Sequence, residues 1–179
     1  MTDKLQNASL ASGCFWCSEA VFRNLKGVYN VRSGFMGGSI KNPAYREVVA
    51  GRTGHAETVQ FQFDPDVIGY RELLLIFFTT HDPTTLNRQG NDVGTHYRSI
   101  IFYHSEEQKS TAIEVVEELN REIFHGKIVT EIKEATEFFE AGVEHKNFYE
   151  THREYPYCQV IIDPKIKKLR EHFSEKLVS

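Results

Sequence analysis

The sequence predicts an α/β fold, a single-domain two-layer sandwich of helices against a sheet. Three observations lead there. Segments of strict apolar–polar alternation, of which "TVQFQF" (58–63) is the clearest, are interleaved with segments whose apolar residues recur at helical spacing. No internal repeat, low-complexity tract or Pro/Gly/Ser-rich linker divides the chain. A length of 179 residues, with 40% hydrophobic and 26% charged content, is enough for one substantial core.

Each element has its own local reason. "NASLAS" (7–12) is short and built of small residues, which suits a buried strand running into Gly13. From Phe15 to Leu25, Trp16, Ala20, Val21 and Leu25 recur at helical spacing, so Cys14 and Cys17 fall at a helix start. A strand is expected over Val28–Phe35, then a turn at Gly37 and Gly38. In "TVQFQF", Val59, Phe61 and Phe63 share one face while Gln60 and Gln62 share the other. "DPDVI" turns into the helix "YRELLLIFFTTH" (70–81), and "YRSIIFYH" (97–104) reads as a strand. Ser105 and Gln108 form a capping-box pattern that opens a helix to about Asn120. "KIVTEI" (127–132) reads as a further strand and 136–149 as a helical stretch. After "DPK" (163–165), Ile166, Leu169, Phe173 and Leu177 line one face of a C-terminal helix. The pattern leaves strand order open.

A formal charge of −4, without a Lys/Arg cluster, gives no reason to expect nucleic acid. The densest basic run, "KIKKLR" (165–170), has helical spacing and reads as a solvated helix face. "MTDKLQNASLASG" lacks the apolar stretch of a secretory leader, and no segment reaches transmembrane length, so no membrane contact is expected and the default compartment is the cytoplasm. In that setting Cys14, Cys17 and Cys158 read as catalytic or metal-binding rather than as a disulfide framework.

"GCFWC" (13–17) places two of the three thiols around a Phe-Trp pair. At a helix N-terminus, exposed amide N–H groups and the helix dipole favour thiolate over thiol, with Cys14 the activated member. The bland alternative is a pair of small buried hydrophobes. A zinc site requires about four ligands, and Cys158 has neither a second cysteine nor a His-x₃₋₅-His pair beside it; the histidines read mostly as surface or packing residues. A thioredoxin-like disulfide exchanger is the stronger rival. Its intervening residues, however, should admit a partner disulfide, whereas Phe15 and Trp16 are large, apolar and suited to the wall of a small pocket.

Such chemistry needs an acid, and "TGHAETVQF" offers Glu57 at the mouth of a strand, where apolar neighbours would raise its pKa. Tyr45 in "KNPAYREV" and Tyr97 in "GNDVGTHYRS" are placed to donate to an oxygen or simply to pack. Asp92 shares that glycine-flanked loop and has an Asx-turn role as its plain alternative.

Taken together and in order, "GCFWC", "GVYNVRSGFMGG", "NPAYREVVAGRTGHAE", "HDPTTLNRQGNDVGTHYRSIIFY" and, more loosely, "YPYCQVIIDPK" resemble the A-type peptide methionine sulfoxide reductases over roughly positions 8 to 165. The resemblance implies a ferredoxin-like sandwich with a mixed sheet, one domain over 1–179 with a C-terminal tail and helix from about 150, and reduction of L-methionine (S)-sulfoxide, free or in proteins. It implies Cys14 as nucleophile, Phe15 and Trp16 around the sulfoxide methyl group, Glu57 as proton donor, Tyr45 and Tyr97 bonding the oxygen, and Asp92 shaping the pocket. Attack would leave a sulfenic acid on Cys14, a second thiol would form a disulfide, and an external thiol reductant such as thioredoxin, or dithiothreitol in vitro, would open it. No bound cofactor and no metal are required.

The chain departs from the family's commonest pattern at Phe35, where Tyr is usual, at Ser39, where many members carry an aromatic residue, and at Cys17, where many have Gly. Two thiols can therefore resolve the sulfenic acid. Cys17 lies three residues from Cys14, on one helix face. Cys158, in "YPYC", matches the C-terminal Tyr-Cys segment of many members and is preferred on the expectation of a mobile tail. A general thiol–disulfide oxidoreductase and a redox-sensitive binding module remain the competing functions. The zinc-bearing R-specific reductases would need a second Cys-x-x-Cys pair.

Overall fold

The computed structural model describes residues 4–178; the first three residues of the stretch read as lacking a leader, and Ser179, lie outside them. The strands are β1 (Gln6–Ser12), β2 (Val28–Met36), β3 (Ala56–Phe63), the short pair β4 (Arg88–Gln89) and β5 (Asp92–Val93), then β6 (Ser99–Tyr103), β7 (Glu131–Glu134) and β8 (Phe139–Glu140). The helices are α1 (Phe15–Arg23), α2 (Tyr45–Val49), α3 (Tyr70–Thr79), α4 (Glu106–Leu119), α5 (Phe148–Thr151) and α6 (Asp163–Phe173).

The main sheet is six-stranded in the order β7-β6-β1-β3-β2-β8. β6 and β7 run parallel and the other neighbours antiparallel, so the sheet is mixed. β1 and β2 flank β3, both antiparallel to it, and are therefore parallel to each other with α1 as their crossover. The succession β1-α1-β2-β3-α3-β6 with β6-β1-β3-β2 as neighbours is the ferredoxin-like arrangement that the family resemblance implies.

Alternation divides the two faces. Ala8 and Leu10 of β1, with Val59, Phe61 and Phe63 of β3, enter the principal core together with Phe22, Leu73 and Phe77, and the Phe22 and Phe61 rings stack at 5.0 Å. Ala11, Met36, Ala56, Ile100 and Phe102 form a smaller cluster on the other face. Beyond α6 the chain returns to the end of α1: Leu177 bridges Leu25, and Val178 N–H donates to the Asn24 carbonyl at 2.9 Å. Among the described residues no helix is long and apolar enough to cross a membrane.

Several local expectations are corrected. β3 begins at Ala56, two residues before the alternating run expected from Thr58, so Glu57 is already inside the strand. β6 begins only at Ser99, because Tyr97 closes a 3₁₀ turn over Thr95–Tyr97. "KIVTEI" yields a strand only from Glu131, since Ile128 N–H is already given to Asn120 Oδ1 at 3.0 Å and Val129 N–H to the Pro83 carbonyl at 2.8 Å. The stretch 136–149 is helical only in a 3₁₀ turn at Val143–His145 and from Phe148, where α5 begins: Phe139–Glu140 pairs with β2, and Asn147 takes a left-handed conformation at φ 52°. Gly34 permits that pairing, because a Cβ there would lie 2.4 Å from the Phe139 carbonyl oxygen. The last helix starts at Asp163, with Pro in its first turn, and Leu177 lies past its end. At α4, Ser105 Oγ accepts Gln108 N–H at 3.2 Å as expected, but Gln108 reaches back to His104 N–H, at 2.9 Å, one residue before the cap.

Candidate active site

"GCFWC" turns sharply from β1 into α1. Gly13 sits at φ +99°, and a Cβ there would come within 2.8 Å of Gln89, so both backbone and space demand glycine. Cys14 follows as the extended N-cap residue of α1 (φ −60°, ψ 128°) and makes no side-chain cap bond. Phe15 N–H is one of the helix's orphan donors, and it bonds Glu57 Oε1 at 3.1 Å. A carboxyl from the sheet thus caps the helix that carries the thiol.

Glu57 is buried, 1% exposed. It occupies the position two before Val59 in the β3 alternation and therefore points into the core layer. Its register partner is Phe35, whose ring lies 5.6 Å from that of Phe15. Burial holds the carboxyl protonated far above its usual range, to about 8, against the opposing bond from Phe15 N–H. Its Oε2 lies 3.9 Å from Nε2 of buried His96, a residue the sequence reading passed over. A carboxyl in this state can release a proton at neutral pH.

Cys14 and Cys17 are both buried and reduced, and each bears on the other's ionisation. Burial raises Cys14 well above a free thiol, outweighing the Trp16 amide N–H that favours its thiolate; the helix-end effect expected from sequence is present but loses. Cys17 is lowered, first by neighbouring Cys14 and, against burial, also by the Lys165 ammonium and the Tyr157 hydroxyl. Negative charge on the pair is therefore easier to hold at Cys17.

The aromatic residues around Cys14 are tightly arranged. Trp16 stacks on Phe148 at 3.7 Å, meets Tyr157 edge-on at 5.8 Å, and donates its indole N–H to His145 Nδ1 at 3.1 Å. The His145 ring lies among Phe15, Trp16 and Tyr45, at 5.3, 5.9 and 4.4 Å between centroids. Tyr45 and Tyr97 are both half-buried. Each phenol is pushed up by burial and then by the charges of Glu57, Cys14 and Asp92, which places both tyrosines in the same electrostatic neighbourhood.

A cavity of about 350 Å³ opens beside the cysteines, with Cys14, Cys17, Asp92, Tyr157, Ile161 and Lys165 in its wall. Phe15, Trp16, Tyr45, Glu57 and Tyr97 are not among its lining residues. Tyr157 O–H donates to Asp92 Oδ2 at 2.6 Å and stands 3.6 Å from Cys17 Sγ. Cys158 is fully buried in a π turn, Cys158–Ile162, that leads into α6, so the segment expected as a mobile tail is packed into the core. Sequence reasoning also missed His145, Tyr157 and Lys165. Tyr157 lay within "YPYC", and Lys165 is one helical turn before buried Leu169, at the edge of the apolar stripe; nothing in the sequence singled out His145.

A family model described as peptide methionine sulfoxide reductase matches residues 6–177. The peptide methionine sulfoxide reductase MsrA of Sulfolobus acidocaldarius is 55% identical over 172 residues, covering 96% of this chain and 97% of the relative. Among solved structures, reduced Mxr1 from Saccharomyces cerevisiae superposes with a TM-score of 0.81 at 31% identity, covering 88% of this chain and 91% of that one. Mxr1 in complex with Trx2 gives a TM-score of 0.57 at 27% identity, covering 83% and 87%.

Proposed function

Because this chain belongs to the peptide methionine sulfoxide reductase family, we propose that it reduces L-methionine (S)-sulfoxide, free and within oxidised proteins, by thiol chemistry at Cys14. The observation that carries the residue assignment is the bond from Phe15 N–H to Glu57 Oε1, which ties a buried, protonated carboxyl to the residue next to Cys14. A sulfoxide oxygen leaves only when protonated, so attack at sulfur calls for an adjacent acid and for donors around that oxygen. Glu57 supplies the proton, Tyr45 and Tyr97 donate to the oxygen, and Phe15 and Trp16 offer apolar surface to the methyl group. Asp92, held by Tyr157, shapes the pocket.

The chemical sequence follows. Cys14 sulfur attacks the sulfoxide sulfur, the oxygen passes to Cys14 as a sulfenic acid, and methionine leaves. Cys17 then attacks Cys14 Sγ, forming a disulfide and releasing water. Cys17 is favoured as first resolver because the two thiols line one cavity, and at three residues apart on one helix their Cα atoms are about 5–6 Å apart, within disulfide range. Cys158 would have to leave a packed turn to do the same, and a second exchange, Cys17 to Cys158, is open to it. A dithiol protein of the thioredoxin type closes the cycle, consistent with the complex formed by yeast Mxr1. No bound cofactor takes part, and a cytoplasmic location fits the need for that reductant.

The deciding experiment is a dithiothreitol-driven assay with separated S and R epimers of a methionine sulfoxide substrate. Turnover of S alone is expected. Reduction of a protein disulfide with both epimers untouched would replace this reading with a general thiol–disulfide exchanger.

A further inference from the structure

The run "KIKKLR" does not behave as one solvated face. Lys167, Lys168 and Arg170 are exposed, whereas Lys165 is half-buried and its Nζ donates to the Thr80 carbonyl at 2.6 Å. That acceptor is neutral, so the bond fixes the ammonium without giving it a counter-ion. An ammonium withdrawn from water in this way is costly unless negative charge stands near it. The cavity wall that Lys165 completes contains Cys14 and Cys17, and Tyr157 reaches Cys17 from the same wall.

We infer that Lys165 is a positioning residue for recycling: its fixed ammonium holds negative charge on Cys17 across the shared cavity. The charged and titratable groups facing Cys17 are Cys14 at the start of its own helix, Asp92 on β5, Tyr157 and Cys158 before α6, and Lys165 on α6; Glu57 lies across from it on β3. Of these, Lys165 alone is a cation. Burial lowers the Lys165 ammonium itself, and the two thiols hold it charged in opposition.

The role rests on the reading of Cys17 as resolving thiol and extends it to two steps. In the first, Cys17 thiolate attacks the sulfenic sulfur of Cys14; the S–O bond breaks, and the departing hydroxide takes up a proton as water. In the second, a thiolate of the external dithiol attacks Cys14 Sγ, and Cys17 leaves as thiolate carrying the electron pair of the broken S–S bond. The second thiol of the reductant then releases Cys14. A nearby ammonium favours Cys17 both as attacker and as leaving group.

The test is a titration of Cys17 by ultraviolet thiolate absorbance in the full chain with Cys14→Ser and Cys158→Ser, where Cys17 is the only thiol. Lys165→Met should move its midpoint upward, leaving about tenfold less thiolate at pH 7. Lys165→Arg should keep the midpoint near the parent's. Should the Met variant fail to fold, Lys165→Gln makes the same measurement. A midpoint unmoved or lowered by removal of the charge overturns the assignment. Disulfide mapping separates it from the reading beneath: a first bond from Cys14 to Cys158, with the Lys165→Met shift intact, removes Cys17 as resolver and leaves the charge assignment standing.

Discussion

Phe15 and Glu57 are joined by a hydrogen bond from the Phe15 amide to Glu57 Oε1, 3.1 Å long, between the first turn of α1 and the start of β3. The bond sets the distance between the thiol-bearing turn and the acid without using either reactive atom.

Glu57→Gln keeps an acceptor for Phe15 N–H but has no acidic proton. Single-turnover methionine release should slow by about 10²–10⁴-fold, the usual contribution of a positioned general acid. In the wild type the same step should decline as pH rises through about 8, where Glu57 ionises. Unchanged release in the variant would assign the proton to another group.

The same substitution should stabilise the fold at alkaline pH. The folded carboxyl titrates near 8, while an unfolded one titrates near 4.5, so between these values the native state holds a proton that the unfolded state has lost. Stability must then fall as pH rises across that window, by an amount on the order of a few kcal/mol. Thermal melts should show Glu57→Gln above wild type at pH 8 and level with it near pH 4.

His81 gives the opposite slope. It lies buried between the Phe77 carbonyl and Ser99 Oγ, joining the end of α3 to β6, and burial drives it down to about 3 from 6.5. The native state stays neutral while the unfolded chain gains a proton below about 6.5, so stability is lost as pH falls from there toward 3. His81→Gln should cost about 1–3 kcal/mol at neutral pH through its broken bonds and flatten the acid side of the stability curve. An equally steep acid side in the variant would place the sensitivity elsewhere.

Gly13→Ala tests the turn. A side chain at φ +99° and 2.8 Å from Gln89 should cost about 1–3 kcal/mol and displace Cys14 from its place beside Glu57. The expected result is a lowered melting temperature together with a reduced chemical rate. A turnover number equal to wild type would show that the turn has slack.

Cys14→Ser should abolish reduction, since a hydroxyl is a weak nucleophile here and cannot become a sulfenic acid. One equivalent of substrate without reductant should give a Cys14–Cys17 disulfide by mass spectrometry in both wild type and Cys158→Ser. A bond to Cys158 as the first product, with none to Cys17, would restore the tail cysteine as resolver.

Local pattern by itself determined most of the elements and the chemistry-bearing residues. Alternation in "TVQFQF" named the core face of β3, and helical spacing after Gly13 put Cys14 at the head of α1. The motifs, read together, named the family. The alternation even implied that Glu57 is buried, had it been carried back two residues past Val59. Only tertiary structure decided the rest. Strand order depends on pairing between distant segments, and "KIVTEI" lost its first four residues as strand because Asn120 and Pro83 had already taken its amides. The state of the cysteines was decided in the same way. Burial lifts Cys14, while Tyr157, 140 positions away in sequence, and Lys165 bear on Cys17. Spacing along a chain reports which side chains share a face; it carries no information about which distant group supplies the opposing charge, because desolvation and Coulomb interaction depend on distance through space.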